Sequence, residues 1–116
     1  MKRLVTANWE SLKALEFRDL RARDIVLIRT RNNLYSFLIG NERTLSGRLV
    51  SEVRESRVRD AILVGAVIMR EGKCHTLTSR LVTKSRALFA IQRGNRIIRL
   101  TTSTVVSLCC IRPIEE

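Results

Sequence analysis

The sequence predicts an all-β domain: a small antiparallel barrel or barrel-like sandwich of seven to eight strands with a short N-terminal helix. Three observations lead there. Short apolar runs rich in β-branched residues recur, as in Ile25–Ile28, Ala61–Met69 and Val105–Ile111. Turn-forming pairs such as Glu71-Gly72 and Gly94-Asn95 separate them. No run approaches the roughly 18 apolar residues that a membrane helix needs.

The chain has 116 residues, 45% of them apolar, which suits one domain with its own core. Residues 1–23 read as a helix and arm, and 24–116 as a single β-domain. Asn8 can cap a helix over residues 9–17, with Trp9, Leu12 and Leu15 spaced by three on one face. Asp24–Thr30 and Leu34–Ile39 are strands, joined by a two-residue turn at Asn32-Asn33. Tyr35 and Phe37, two apart, share a face and read as core. After Gly40–Arg43, Thr44–Val50 is a third strand with a bend at Gly47. Ser51–Asp60 is a charged, solvated connection. Strands follow at Ala61–Met69 and Cys74–Thr78. A closing meander comprises 87–91, 97–100 and 105–111, with turns at Gly94-Asn95 and Thr102-Ser103 and a stop at Pro113.

Catalytic chemistry finds little footing. His75 is the sole histidine, and its neighbour Cys74 points to the opposite strand face. The three cysteines, Cys74, Cys109 and Cys110, form no metal-ligating spacing, and the acids are scattered, so no enzyme activity, metal or cofactor is expected. The five glycines stand singly and build no phosphate loop. The N-terminus starts like a signal peptide but meets Asn8, Trp9 and Glu10, so a cytoplasmic protein with free thiols is expected.

Charge carries the functional content. Net charge is +11, and 18 of the 22 basic residues are arginine, which grips phosphate bidentately. The stretch from Lys73 to Ile114 holds eight basic residues and no acid. Arginines recur beside turns, and Arg93/Arg96 and Arg70/Lys73 fall opposite one another across hairpins, like charge against like. A polyanion site at Arg29, Arg31, Arg86, Arg93, Arg96 and Arg99 is therefore expected. Few aromatics accompany them, so the contact should be with the backbone of a nucleic acid. The alternative is a protein–protein or self-associating module contacting its partner through Trp9, Leu12 and Leu15. Expected partners are a nucleic acid, an acidic protein or a second copy of the chain, and no membrane.

Two segments carry a resemblance. Arg29-Thr30-Arg31-Asn32-Asn33-Leu34-Tyr35-Ser36-Phe37 and Leu100-Thr101-Thr102-Ser103-Thr104-Val105-Val106-Ser107-Leu108 resemble an uncharacterised group of short bacterial all-β proteins. The resemblance covers about a quarter of the chain and implies a compact β-domain of bacterial origin, with no activity or ligand. The helix-then-strands order is also similar to Sm-like RNA-binding barrels, whose acidic and asparagine pocket signature is not matched here.

Overall fold

The computed structural model describes residues 3–52 and 57–114, with side chains from 12 to 113 within them. The chain forms β1 (Arg3–Leu12), β2 (Ala14–Glu16), a 3-10 turn (Phe17–Asp19), β3 (Ile25–Thr30), β4 (Leu34–Asn41) and β5 (Ser46–Ser51). It continues with β6 (Arg59–Arg70), β7 (Lys73–Leu77), β8 (Arg80–Val82), β9 (Arg86–Arg93) and β10 (Arg96–Ile114). All pairings are antiparallel. Six strands close a ring of ladders in the order β10, β3, β4, β5, β6, β9 and back to β10. β1 and β7 extend the sheet as its outer strands, and β2 pairs with β8 in a separate two-stranded ladder.

Alternation sorts the ring into two faces. Val26 and Ile28 of β3, Phe37 and Ile39 of β4, and Phe89 and Ile91 of β9 point inward and are buried. Phe37 and Phe89 meet edge to face, with ring centroids 5.3 Å apart. Leu15, Phe17 and Leu20 join this core. Among the described residues no helix is long and apolar enough to cross a membrane.

Three expectations need correction. The helix over residues 9–17 is absent: the chain runs as β1 and β2 into the 3-10 turn. β1 pairs along β10 with register shifts between Thr6 and Asn8 and between Asn8 and Leu12. Extra residues in a bulged strand break strict alternation, so apolar residues spaced by three need not signal a helix. Second, Thr102-Ser103 does not turn the chain. β10 is one strand of 19 residues that changes partners there, pairing with β9 up to Thr104 and with β3 from Val105. It also runs through Pro113, which lies opposite Leu4 on the outer strand. Third, the first hairpin turns at Arg31-Asn32, closed by the Thr30 N–H donating to the Asn33 carbonyl at 2.8 Å. Neither asparagine takes positive φ; the Asn33 Oδ1 accepts from the Leu34 N–H instead.

Two other turns follow their residue chemistry. Glu71 and Gly72 both have positive φ, as a tight two-residue hairpin requires, and Gly94 has φ 63° at the first turn position. These turns set Arg70 opposite Lys73 and Arg93 opposite Arg96.

Candidate functional site

Antiparallel pairing gathers several basic residues at one end of the ring. β3 ends there, β5 ends there at Ser51, β6 begins there at Arg59, and the β9–β10 hairpin turns there. Leu49 lies opposite Arg59, Ala61 opposite Ile91, and Arg93 opposite Arg96. Two residues beyond the Ala61–Ile91 pair, Arg59 comes abreast of Arg93. Arg59, Arg93 and Arg96 thus form a row on the inward-facing register, just past the core, and all three are exposed. None of them makes an ion pair among the described residues.

A cleft of about 790 Å³ opens at this end. It exists because the β3–β4 hairpin stops short of the first half of β10. Thr30 pairs with Val105, Arg31 donates its N–H to the Thr104 carbonyl at 3.1 Å, and β3 reaches no earlier residue of β10. Leu49, Ile91 and Leu100 line the bottom of the cleft. Tyr35, half-buried, lies beside them, and its hydroxyl has no partner among the described residues. Asn32, Asn33 and Ser51 form one wall, with the Asn33 Nδ2 donating to the Ser51 Oγ at 2.6 Å. Thr101, Thr102 and Ser103 form another, and Arg57 and Arg59 stand at the edge. Thr102 is committed to the fold: its hydroxyl accepts from the Ala87 N–H at 3.0 Å and donates to the Ser103 carbonyl at 2.8 Å.

The six arginines singled out by the sequence divide among three places. Arg93 and Arg96 flank the hairpin at the cleft end. Arg29, Arg31 and Arg86 lie on either side of Thr104–Ser107 of β10, beyond the cleft wall. Arg31 bonds to Thr104 from one side, Arg86 pairs with Thr104 from the other, and Arg29 lies opposite Ser107. One strand separates Arg31 from Arg86, a backbone distance of about 10 Å. Lys84 joins this group, its N–H bonded to the Val105 carbonyl at 2.9 Å. Arg99 stands apart, on the outer face of β10 opposite Ala90. Of the contact expected at Trp9, Leu12 and Leu15, two members have described side chains. Leu15 is 6% exposed within the core and Leu12 packs against it, while the Trp9 side chain lies outside the described residues.

Two further features bear on function. A groove of about 590 Å³ on the outer face is floored by Leu38, Ile62, Ala90 and Ile97, with Arg23, Arg48 and Asp60 along its edge. Leu38, Ile62 and Ile97 are 43%, 42% and 72% exposed. His75 and Cys74 lie exposed on β7, and the Cys74 thiol meets the Met69 thioether at 3.0 Å. Burial, with the Asp24 carboxylate beside it, pushes the Cys110 thiol up to about 11, far from a reactive thiolate.

Sequence reasoning alone misses Arg57, Arg59, Asn33 and Ser51 as site residues, and it favours core over a stacking role for Tyr35. The charged texture of Ser51–Asp60 reads as a solvated connection, yet Arg59 opens β6 with Arg57 two residues before it, and both reach the cleft. Spacing alone groups Tyr35 with Phe37 as core. The two share a face, but Phe37 sits deep in the ring and Tyr35 at its mouth. Comparison of this chain with protein families, with curated proteins and with solved structures gave no match.

Proposed function

We propose that this protein is a non-enzymatic module that holds a polyanion, the backbone of a nucleic acid, at the arginine-bearing end of the ring. In this reading the closed ring acts as a small barrel, and its open end is the binding face. The observation that carries it is the row Arg59, Arg93 and Arg96, exposed and without ion pairs among the described residues, beside a cleft edged by Arg57. Holding like charges across a hairpin opposes folding slightly, and an anion between them relieves that repulsion. Each phosphate neutralised releases counterions, so affinity should fall linearly in log–log form as salt rises. The test is titration of generic single-stranded and duplex nucleic acid from low to physiological salt. Steep salt dependence is expected, weakened in an Arg93→Ala, Arg96→Ala double variant. A flat response, or no binding at low salt, overturns the proposal.

The outer groove favours a second reading, a module that docks another protein. Its exposed Leu38, Ile62 and Ile97 lie on alternate strands of the ring, β4, β6 and β10, and line one groove. Ile62→Arg should then abolish any self-association seen by light scattering. A strict monomer before and after the change removes the self-associating form.

A further inference from the structure

We infer that the cleft at the end of the ring receives an unpaired nucleotide base, so that the polyanion is single-stranded nucleic acid. This rests on the polyanion reading above and narrows it. The lining is graded in a way that matches one nucleotide. A base has apolar faces, polar edges and, through its sugar, an attached phosphate. The cleft has an apolar bottom of Leu49, Ile91 and Leu100, polar walls, and arginines at its edge. Its volume of about 790 Å³ suits an inserted small group and not a double helix, which would meet only the outer arginines.

Tyr35 supplies the stacking surface. It is half-buried, and its hydroxyl is unpartnered among the described residues. Phe37 and Phe89, the aromatics next to it in the ring, are fully buried against each other. Tyr35 is therefore the aromatic ring offered to the cleft. Stacking on an aromatic is tolerant of base identity, since every base has a π-face. Asn32 is exposed at the hairpin turn, its amide without a partner among the described residues, and Thr101 and Ser103 line the cleft with it. These groups can meet base edges without strong sequence choice. Arg93 and Arg96, on the adjoining hairpin, would take neighbouring phosphates.

The experiment measures fluorescence anisotropy of labelled oligothymidylate and oligouridylate, each of about a dozen nucleotides, against a mixed-sequence duplex of equal length. Single strands should bind about tenfold tighter than the duplex. Tyr35→Leu should lose roughly five- to tenfold for single strands, the low end of what a stacked base contributes, and leave duplex binding unchanged. Tyr35→Phe should retain the single-strand affinity. Because a change at Tyr35 can disturb folding, the unaltered protein is also photocrosslinked to an oligonucleotide carrying 5-iodouracil. The label should appear in the tryptic peptide spanning residues 32–43, which contains Tyr35. Equal binding of single strand and duplex, or crosslinks only outside that peptide, overturns the base-insertion inference while leaving salt-dependent polyanion binding intact. Absence of binding by every nucleic acid at low salt overturns both.

Discussion

Asp24 has no exposed surface, and its carboxylate is held by three donors. Arg112 reaches it with both arms of its fork, Nε to Oδ1 and Nη2 to Oδ2, each at 2.9 Å, and the Arg21 N–H donates to Oδ2 at 2.8 Å. The same Nη2 also bonds the Asp19 carbonyl at 2.8 Å. One side chain of β10 thereby ties the end of the chain to the loop before β3. Arg112 belongs to the acid-free basic stretch, but the fold consumes it, and the Asp24 carboxylate raises its pKa by hydrogen bonding. Arg112→Ala leaves a buried charge without its main partner and should cost about 3 kcal/mol, read as a lowered urea midpoint. Arg112→Lys keeps the charge but loses the bidentate fork, so it should recover only part of that loss. Cys110, nearby, gives a pH dependence. Burial raises its folded pKa to about 11, above the ordinary thiol value of 9.0. The stability this thiol carries is therefore intact below pH 9 and is lost as pH rises toward 11, because the unfolded thiol ionises first. The loss should approach about 1.4 kcal/mol per pH unit across that window. The difference in unfolding free energy between wild type and Cys110→Ala should shrink over that range. A constant difference would show that the thiol titrates alike in both states.

Gly65 shows how an element can depend on a missing side chain. β6 shifts register against β9 between Leu63 and Gly65, and a Cβ at position 65 would overlap the Leu77 carbonyl where the chain leaves β7. Gly65→Ala must push β7 away from β6 and should cost about 2 kcal/mol as an overpacking strain. Hydrogen exchange should report it as faster exchange over Lys73–Leu77 with the β3–β4 hairpin unaffected; an unchanged β7 would show that the two strands separate freely. Such positions explain what the sequence hides. Glu71-Gly72 and Gly94-Asn95 are legible because positive φ has a residue signature. The register shift of β10 at Thr101–Thr104 has none: its Thr and Ser resemble a turn, and the strand continues by exchanging β9 for β3 as partner. β1 fails for the related reason that its bulges imitate helical spacing. Strands β3 to β6 and β9 follow from alternation and β-branched residues, since their apolar faces have a ring to fill.

At the scale of the molecule, the question is whether +11 acts as a general charge or as a site. The sequence showed arginines beside turns without saying which turns share an end. Pairing answers this for the backbone: the end of β5, the start of β6 and the β9–β10 hairpin lie together, and the β6–β7 hairpin lies at the far end. β6 has 12 residues, so its two ends are roughly 36 Å apart at about 3.3 Å per residue. That separation is several Debye lengths at physiological salt, so the two ends are electrostatically independent. The molecule contains its own control. Arg70 and Lys73 face each other across the far hairpin as Arg93 and Arg96 do across the near one. Arg93→Ala with Arg96→Ala, and Arg70→Ala with Lys73→Ala, each remove two positive charges from a like-charged pair beside a turn. If binding were driven by net charge alone, both double variants would weaken it equally. If the cleft end is the site, the near pair should lower the slope of log affinity against log salt by about two, and the far pair should leave it unchanged. Anisotropy titrations of wild type and both variants at several salt concentrations measure the slopes directly. Equal slopes for the two variants would assign the binding to diffuse charge and remove the arginine row from any special role.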